Sequence, residues 1–165
     1  MKQWLIGGLL FVGISSAQTL APKPPLVNCE SGKNLPCVVL ANKTSDMAGI
    51  WKQYQSNPAF APSGGMGYIR YSADGTFNLA DAPENTAAPY KTFPHGTFSF
   101  EGNRMTLNTQ GVPPGMPECA RGVYEVRVIR LGVQPVGMSF TPLEDTCKPR
   151  LKDVAQVQLY VAPSN

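Results

Sequence analysis

The stretch "GTFSFEGNRMTLNT" (96–109) decides how the rest of this chain is read. Gly102-Asn103 suits a two-residue hairpin loop, and the residues on either side alternate apolar and polar. In that register Phe100 faces Met105 and Phe98 faces Leu107 on one side, while Glu101 and Arg104 flank the turn on the other, placed to pair weakly. A period of two with a single apolar side predicts a half-buried antiparallel pair, not a helix.

The same pattern repeats on both sides of it. In "MGYIRYSADGTFNLA" (66–80) a three-residue loop, Ala73-Asp74-Gly75, puts glycine where such a turn needs a left-handed residue. Ser72 then faces Thr76, Tyr71 faces Phe77 and Ile69 faces Leu79, so both strands keep their apolar residues on one face. In "CARGVYEVRVIRLGVQPVGMSFTPLEDTC" (119–147) a turn near Val133 sets Val126 against Phe140 and Val128 against Met138. Tyr124 lies level with Pro142, and Glu125 and Arg127 point outward. Carried without a bulge to the open end, this register sets Cys119 opposite Cys147, within disulfide reach. That leaves Cys29–Cys37 as the second bond.

Strands at 49–54 and in "AQVQLYVA" (155–162) bring the count to eight. Consecutive hairpins form a meander, and an even number lets the first and last strands meet antiparallel, which removes both exposed edges. The expectation is an all-β, eight-stranded antiparallel up-and-down barrel, with a two-sheet sandwich as the alternative because alternation looks the same in both. "TCKPRLKDV" (146–154) is read as holding a short helix between the last two strands.

The ends of the chain bear on compartment. Lys2, the apolar run "WLIGGLLFVGI" (4–14) and the small residues "SSA" (15–17) form a signal peptide over 1–17, too short to span a membrane. Residues 18–46 are read as an extended Pro-rich leader and 47–165 as the barrel domain. The first cysteine, Cys29, lies too far downstream for a lipid anchor. Four cysteines without C-x-x-C spacing, and a single histidine, His95, favour disulfides over a metal in a secreted or periplasmic protein. No cofactor is expected. The formal net charge of +3 drops by one with Lys2 and is evenly scattered, which argues against nucleic acid and a membrane-surface patch.

Two stretches carry a resemblance. Gly49-Ile50-Trp51 in "MAGIWK" (47–52) resembles the G-x-W opening of lipocalin-like barrels. "GVYEVRV" (122–128) and "GMSFTPLEDTCKPR" (137–150) are similar to the end of small bacterial lipocalin-like domains of the calycin superfamily. The resemblance spans about 47–162 in layout. It implies a basic residue packed over Trp51 at the closed end, Arg150 first by position and Lys152 second. A guanidinium stacked on an indole contributes roughly 0.5–2 kcal/mol.

The inward-facing residues either fill a small barrel or line a pocket, and their composition suits an apolar ligand. The candidate ligand contacts are Tyr71, Phe77, Phe98, Phe100, Tyr124, Met138 and Phe140, with Arg130 at the mouth to meet a carboxylate or phosphate. Gly49, Trp51 and Arg150 are structural in this reading, and the ligand site lies at the opposite end from them. His95 has no nucleophile or carboxylate placed beside it by any motif, so no enzyme is expected. The leading expectation is an exported protein binding a small apolar or amphipathic molecule. The alternative is a protein–protein module, such as an inhibitor of an envelope or extracellular hydrolase, acting through Pro-rich loops 81–95 and 110–118, the first of which carries Tyr90 and Phe93.

Overall fold

Each of the three hairpins forms in the register that alternation predicts. In the computed structural model, which describes residues 23–56, 65–112 and 114–164, β1 (Pro36–Leu40) and β2 (Gly49–Tyr54) precede the hairpin of β3 (Met66–Tyr71) and β4 (Thr76–Ala80). The pairs β5 (His95–Glu101) with β6 (Arg104–Gln110), and β7 (Arg121–Leu131) with β8 (Gln134–Glu144), follow. A short helix α1 (Lys148–Val154) leads into β9 (Gln158–Ala162). Tyr71 faces Phe77, Phe98 faces Leu107 and Val126 faces Phe140. The last strand, β9, pairs with both β8 and β2, all antiparallel, so strands β2 to β9 close into an eight-stranded barrel. That closure excludes the sandwich.

The seam of the barrel is where the first-strand tryptophan sits. Trp51 is fully buried, donates from Nε1 to the Met47 carbonyl at 2.9 Å, and meets the ring of Tyr160 edge-on at 5.1 Å. Tyr160 faces it across the β2–β9 ladder. Gly49, two residues earlier, has φ +153°, and a Cβ there would come within 2.6 Å of the Tyr160 ring. The glycine of the G-x-W triplet is thus required by the close approach of β9. Arg150 does not cover the indole, as the resemblance implied; Tyr160 occupies that place, and Lys152 is exposed.

Residues read as leader take part in the sheet. β1 pairs with the second half of β7, from Leu40 opposite Arg127 to Pro36 opposite Leu131, where β6 has already turned away after pairing with Arg121 to Glu125. It covers backbone groups of β7 that would otherwise form an open edge. Cys29–Cys37 ties the preceding segment to it, and that segment is also held outside the barrel: Lys23 pairs with Glu125 at 2.5 Å, and Arg127 donates to the Pro24 carbonyl. "PCVVL" has no alternation to read, and its Pro-rich flank hides it. The expected signal peptide, 1–17, lies outside the described residues.

Cys119–Cys147 forms, but not through a continuous ladder. A bulge between Val123 and Tyr124 shifts the β7–β8 register, and both cysteines lie beyond the strands: Cys119 in a 3-10 turn (Pro117–Ala120), Cys147 capping α1. The turn and the helix start bring them together instead. On the outer face, Arg104 takes Glu144 at 2.5 Å rather than Glu101 as its partner.

Candidate functional site

The two ends of the barrel are filled differently, and the difference begins with α1. The helix lies across the end where β7 starts and β6 finishes, fixed by the Cys119–Cys147 bond and by one arginine. Arg150 grips the Asp145 carboxylate with two hydrogen bonds, Nε to Oδ2 and Nη2 to Oδ1, both 2.8 Å. It also donates to the Tyr124 hydroxyl, the Thr109 hydroxyl, and the carbonyls of Cys119 and Arg121. Asp145, whose side chain is wholly buried, further accepts from the Tyr124 hydroxyl and the Cys147 amide. Every N–H of the guanidinium has an acceptor, so the ion pair is desolvated yet fully satisfied. Gly122 leaves room for it, since a Cβ there would stand 2.8 Å from Arg150 Nη2. Arg150 is a latch on α1, with no donor left for a ligand.

Beneath this latch is a cavity of about 100 Å³. Ile69, Tyr71, Phe77, Leu79 and Leu107 from the barrel, Val112 and Met116 from the loop after β6, and Pro149 and Val154 of α1 make its apolar wall, with the Cys119–Cys147 bond beside them. Polar groups enter from one side. Gln53, Gln55 and Gln158 are buried there, and Gln158 Nε2 donates to Gln53 Oε1 at 2.6 Å. Gln158 Oε1 is buried with no partner among the described residues. Burial pushes the Tyr71 hydroxyl well above its ordinary range, so it stays neutral. Asp153 also lines the cavity; burial raises its carboxyl to about 6, against the opposing pull of its 2.6 Å hydrogen bond from the Ser56 amide.

Of the expected ligand contacts, Tyr71 and Phe77 line this cavity. Phe98, Tyr124, Met138 and Phe140 belong to the packed core instead: Tyr71 meets Phe98 edge-on at 5.2 Å, and Tyr124 meets Phe140 at 5.8 Å. Phe100 is half-buried and packs on Phe98. Arg130 is away from the cavity altogether. It lies at the far end of β7 and donates to the Val133 carbonyl at 3.1 Å within the β7–β8 turn. Arg150 therefore stands in the wall of the hollow rather than over Trp51, which lies in the filled part of the barrel.

The Pro-rich loops also send apolar side chains inward. Phe93 is buried in the core with Tyr90 packed against it, Pro94 joins the cavity wall, and His95 Nδ1 lies 3.2 Å from the Phe93 carbonyl. The residues that reading by hairpins missed are Gln53, Gln55, Gln158 and Asp153. The glutamines had a signal: positions 53 and 55 continue the inward parity of Trp51, where a polar side chain is out of place in a packed barrel. No protein-family model, curated protein or solved structure matches the chain.

Proposed function

We propose that this is an exported, lipocalin-like barrel that binds a small apolar or amphipathic molecule in the cavity under α1. The observation that carries the reading is a partly open apolar hollow at one end of the barrel, walled by a helix that a disulfide and a satisfied ion pair hold in place. A concave, mostly apolar recess with a few polar groups converging on it is the usual form of a small-molecule site. Two disulfides support an oxidising compartment.

Size narrows the ligand. Pockets for drug-sized molecules run from about 300 to 1,000 Å³, whereas an apolar cavity of about 150 Å³ accepts benzene. A hollow of about 100 Å³ fits one small ring or a short alkyl chain, with anything longer emerging past the loops. Phe93 is buried in the core, and the half-buried Val112 and Met116 line the cavity, which favours this reading over a partner-binding role for the loops.

Native mass spectrometry of the purified protein and a methyl-resolved NMR titration with benzene test the proposal. Expected are a co-purifying small mass, or saturable shifts at the methyls of Ile69, Leu79 and Leu107. No co-purified mass and no shift at millimolar benzene overturns the binding role.

A further inference from the structure

We propose that the outer apolar face formed by β1, β7, β8 and β9 is an interface between two copies of this chain; it stands apart from the cavity and does not depend on the ligand reading.

Aliphatic side chains exposed singly on a protein surface need no explanation, but a continuous field of them does. Here they run together. On the outside of β7, Ile129 lies opposite Val38 of β1, which bridges in turn to Val27. Ile129 also lies opposite Gly137 of β8, and Gly137 lies opposite Leu159 of β9. The glycine does not interrupt the field. A Cβ there would stand 3.3 Å from both Ile129 Cδ1 and Val157 Cγ1, so those two side chains close over it. Val161, two residues beyond Leu159, keeps to the same side of the strand. Toward the β7–β8 turn, Val136 is left unpaired by the bulge beside Arg130 and is exposed, as are Leu131 and Val133. Leu35 borders them, its carbonyl accepting from the Gly132 amide at 3.1 Å.

The size of the face suits a second copy. Leaving aside the half-buried Val38 and Ile129, its side chains together expose the equivalent of about four whole aliphatic side chains. At about 100 Å² each, the area their transfer free energy implies, the field is roughly 400 Å². Homodimer interfaces are about 65% apolar, so such a field belongs to a contact of roughly 600 Å² per copy. Twice that area reaches the small end of specific interfaces, where association is weak and reversible.

Charge points the same way. A two-fold contact sets one patch against itself, so the patch must carry little net charge. The ions along this face answer one another within the chain: Lys23 and Arg127 pair with Glu125, and Lys33 pairs with Glu30. Arg130 is turned to the Val133 carbonyl, and Lys52, opposite Leu159 across the β2–β9 ladder, bounds the field. An anionic lipid surface calls instead for a cluster of unanswered cations beside the apolar residues. An acidic or basic protein partner calls for an excess of the opposite sign.

Sedimentation velocity on the protein with both disulfides formed tests the proposal. The weight-average mass should climb from one chain toward two between about 1 µM and 1 mM. Leu159→Lys places a cation in each half of the contact and should weaken association at least roughly tenfold. Leu143→Lys, an equally exposed leucine six residues along β8 from Gly137, should leave association unchanged. In the unmutated protein, dilution should shift the NMR methyl signals of Val27, Val157 and Leu159 and leave those of Leu143 still, a readout that needs no variant to fold. A single-chain mass at every concentration overturns the proposal, and so does association that survives Leu159→Lys or dilution shifts that miss these methyls. Co-sedimentation of the single chain with phosphatidylglycerol vesicles, lost in Leu159→Lys, would make the face a lipid contact and overturn it as well.

Discussion

The Trp51 end and the α1 end of this barrel use buried polar groups in opposite ways. At the Trp51 end the buried indole Nε1 is immediately satisfied by the Met47 carbonyl. Aromatic rings, methionines and valines fill the remaining volume. At the α1 end three glutamines, a buried ion pair and a raised carboxyl surround a space that side chains leave open. The same strands run through both regions, so the difference is made by side-chain choice and by the cap. A barrel of eight strands is just wide enough either to be filled or to hold one small molecule. This chain does the first in one half and the second in the other.

If the filled half is what holds the barrel closed, removing its largest side chain has the largest effect. Trp51→Ala deletes a fully buried indole at the β2–β9 seam and should cost about 3–5 kcal/mol, read by urea unfolding. Breaking the latch comes next. Arg150→Met leaves the Asp145 carboxylate buried without its cation and should cost about 3 kcal/mol or more. It is distinguished from the first by where structure is lost: the amide of Leu151, which bonds to the Cys147 carbonyl, should lose hydrogen-exchange protection before the barrel amides do. Uniform loss of protection in both variants would mean that the two ends form one cooperative unit and are not separately stabilised.

Adding volume sharpens the contrast. Val128 is fully buried in the packed half and outside the cavity wall, whereas Leu107 lines the cavity. Val128→Phe should destabilise by about 1–3 kcal/mol through overpacking, and Leu107→Phe by less than about 1 kcal/mol because the ring has somewhere to go. Thermal unfolding of both variants checks this, and Leu107→Phe should also abolish the benzene-dependent shifts. Equal destabilisation would mean that the hollow cannot take a ring.

Hairpin alternation made the barrel legible because it depends on nearest-neighbour geometry. A period-two pattern and a glycine in the turn fix register over a few residues, and Ile69, Phe98 and Val126 all sit where that logic put them. That Arg150 and α1 would close the hollow end was not legible, because it depends on contacts made across 26 to 41 residues to Tyr124, Cys119 and Thr109. Arg130 shows the same limit from the other side. Its parity was inward, but the bulge between Ile129 and Arg130 changes the register at that residue, and its guanidinium turns back on the hairpin. β1 was hidden for a third reason: an edge-covering strand needs backbone groups to pair, not an alternating face.

The smallest effect expected is a pH dependence that only the hollow end should show. Burial raises the Asp153 carboxyl from 3.8 to about 6. A carboxyl whose folded pKa lies above its unfolded one binds its proton more tightly in the native state. Its contribution is therefore fully present below about pH 4 and is lost as pH rises through 6. Partial exposure and the Ser56 hydrogen bond temper the size, so the loss between pH 4 and 7 is about 1–2 kcal/mol. Asp153→Asn keeps an acceptor for the Ser56 amide but removes the titration. Its unfolding free energy should lack this component of the pH slope and exceed that of the unmutated protein by about that amount at pH 8. A variant with an unchanged pH slope would place the Asp153 carboxyl in solvent, and the hollow end would then be no more costly to charged groups than the surface.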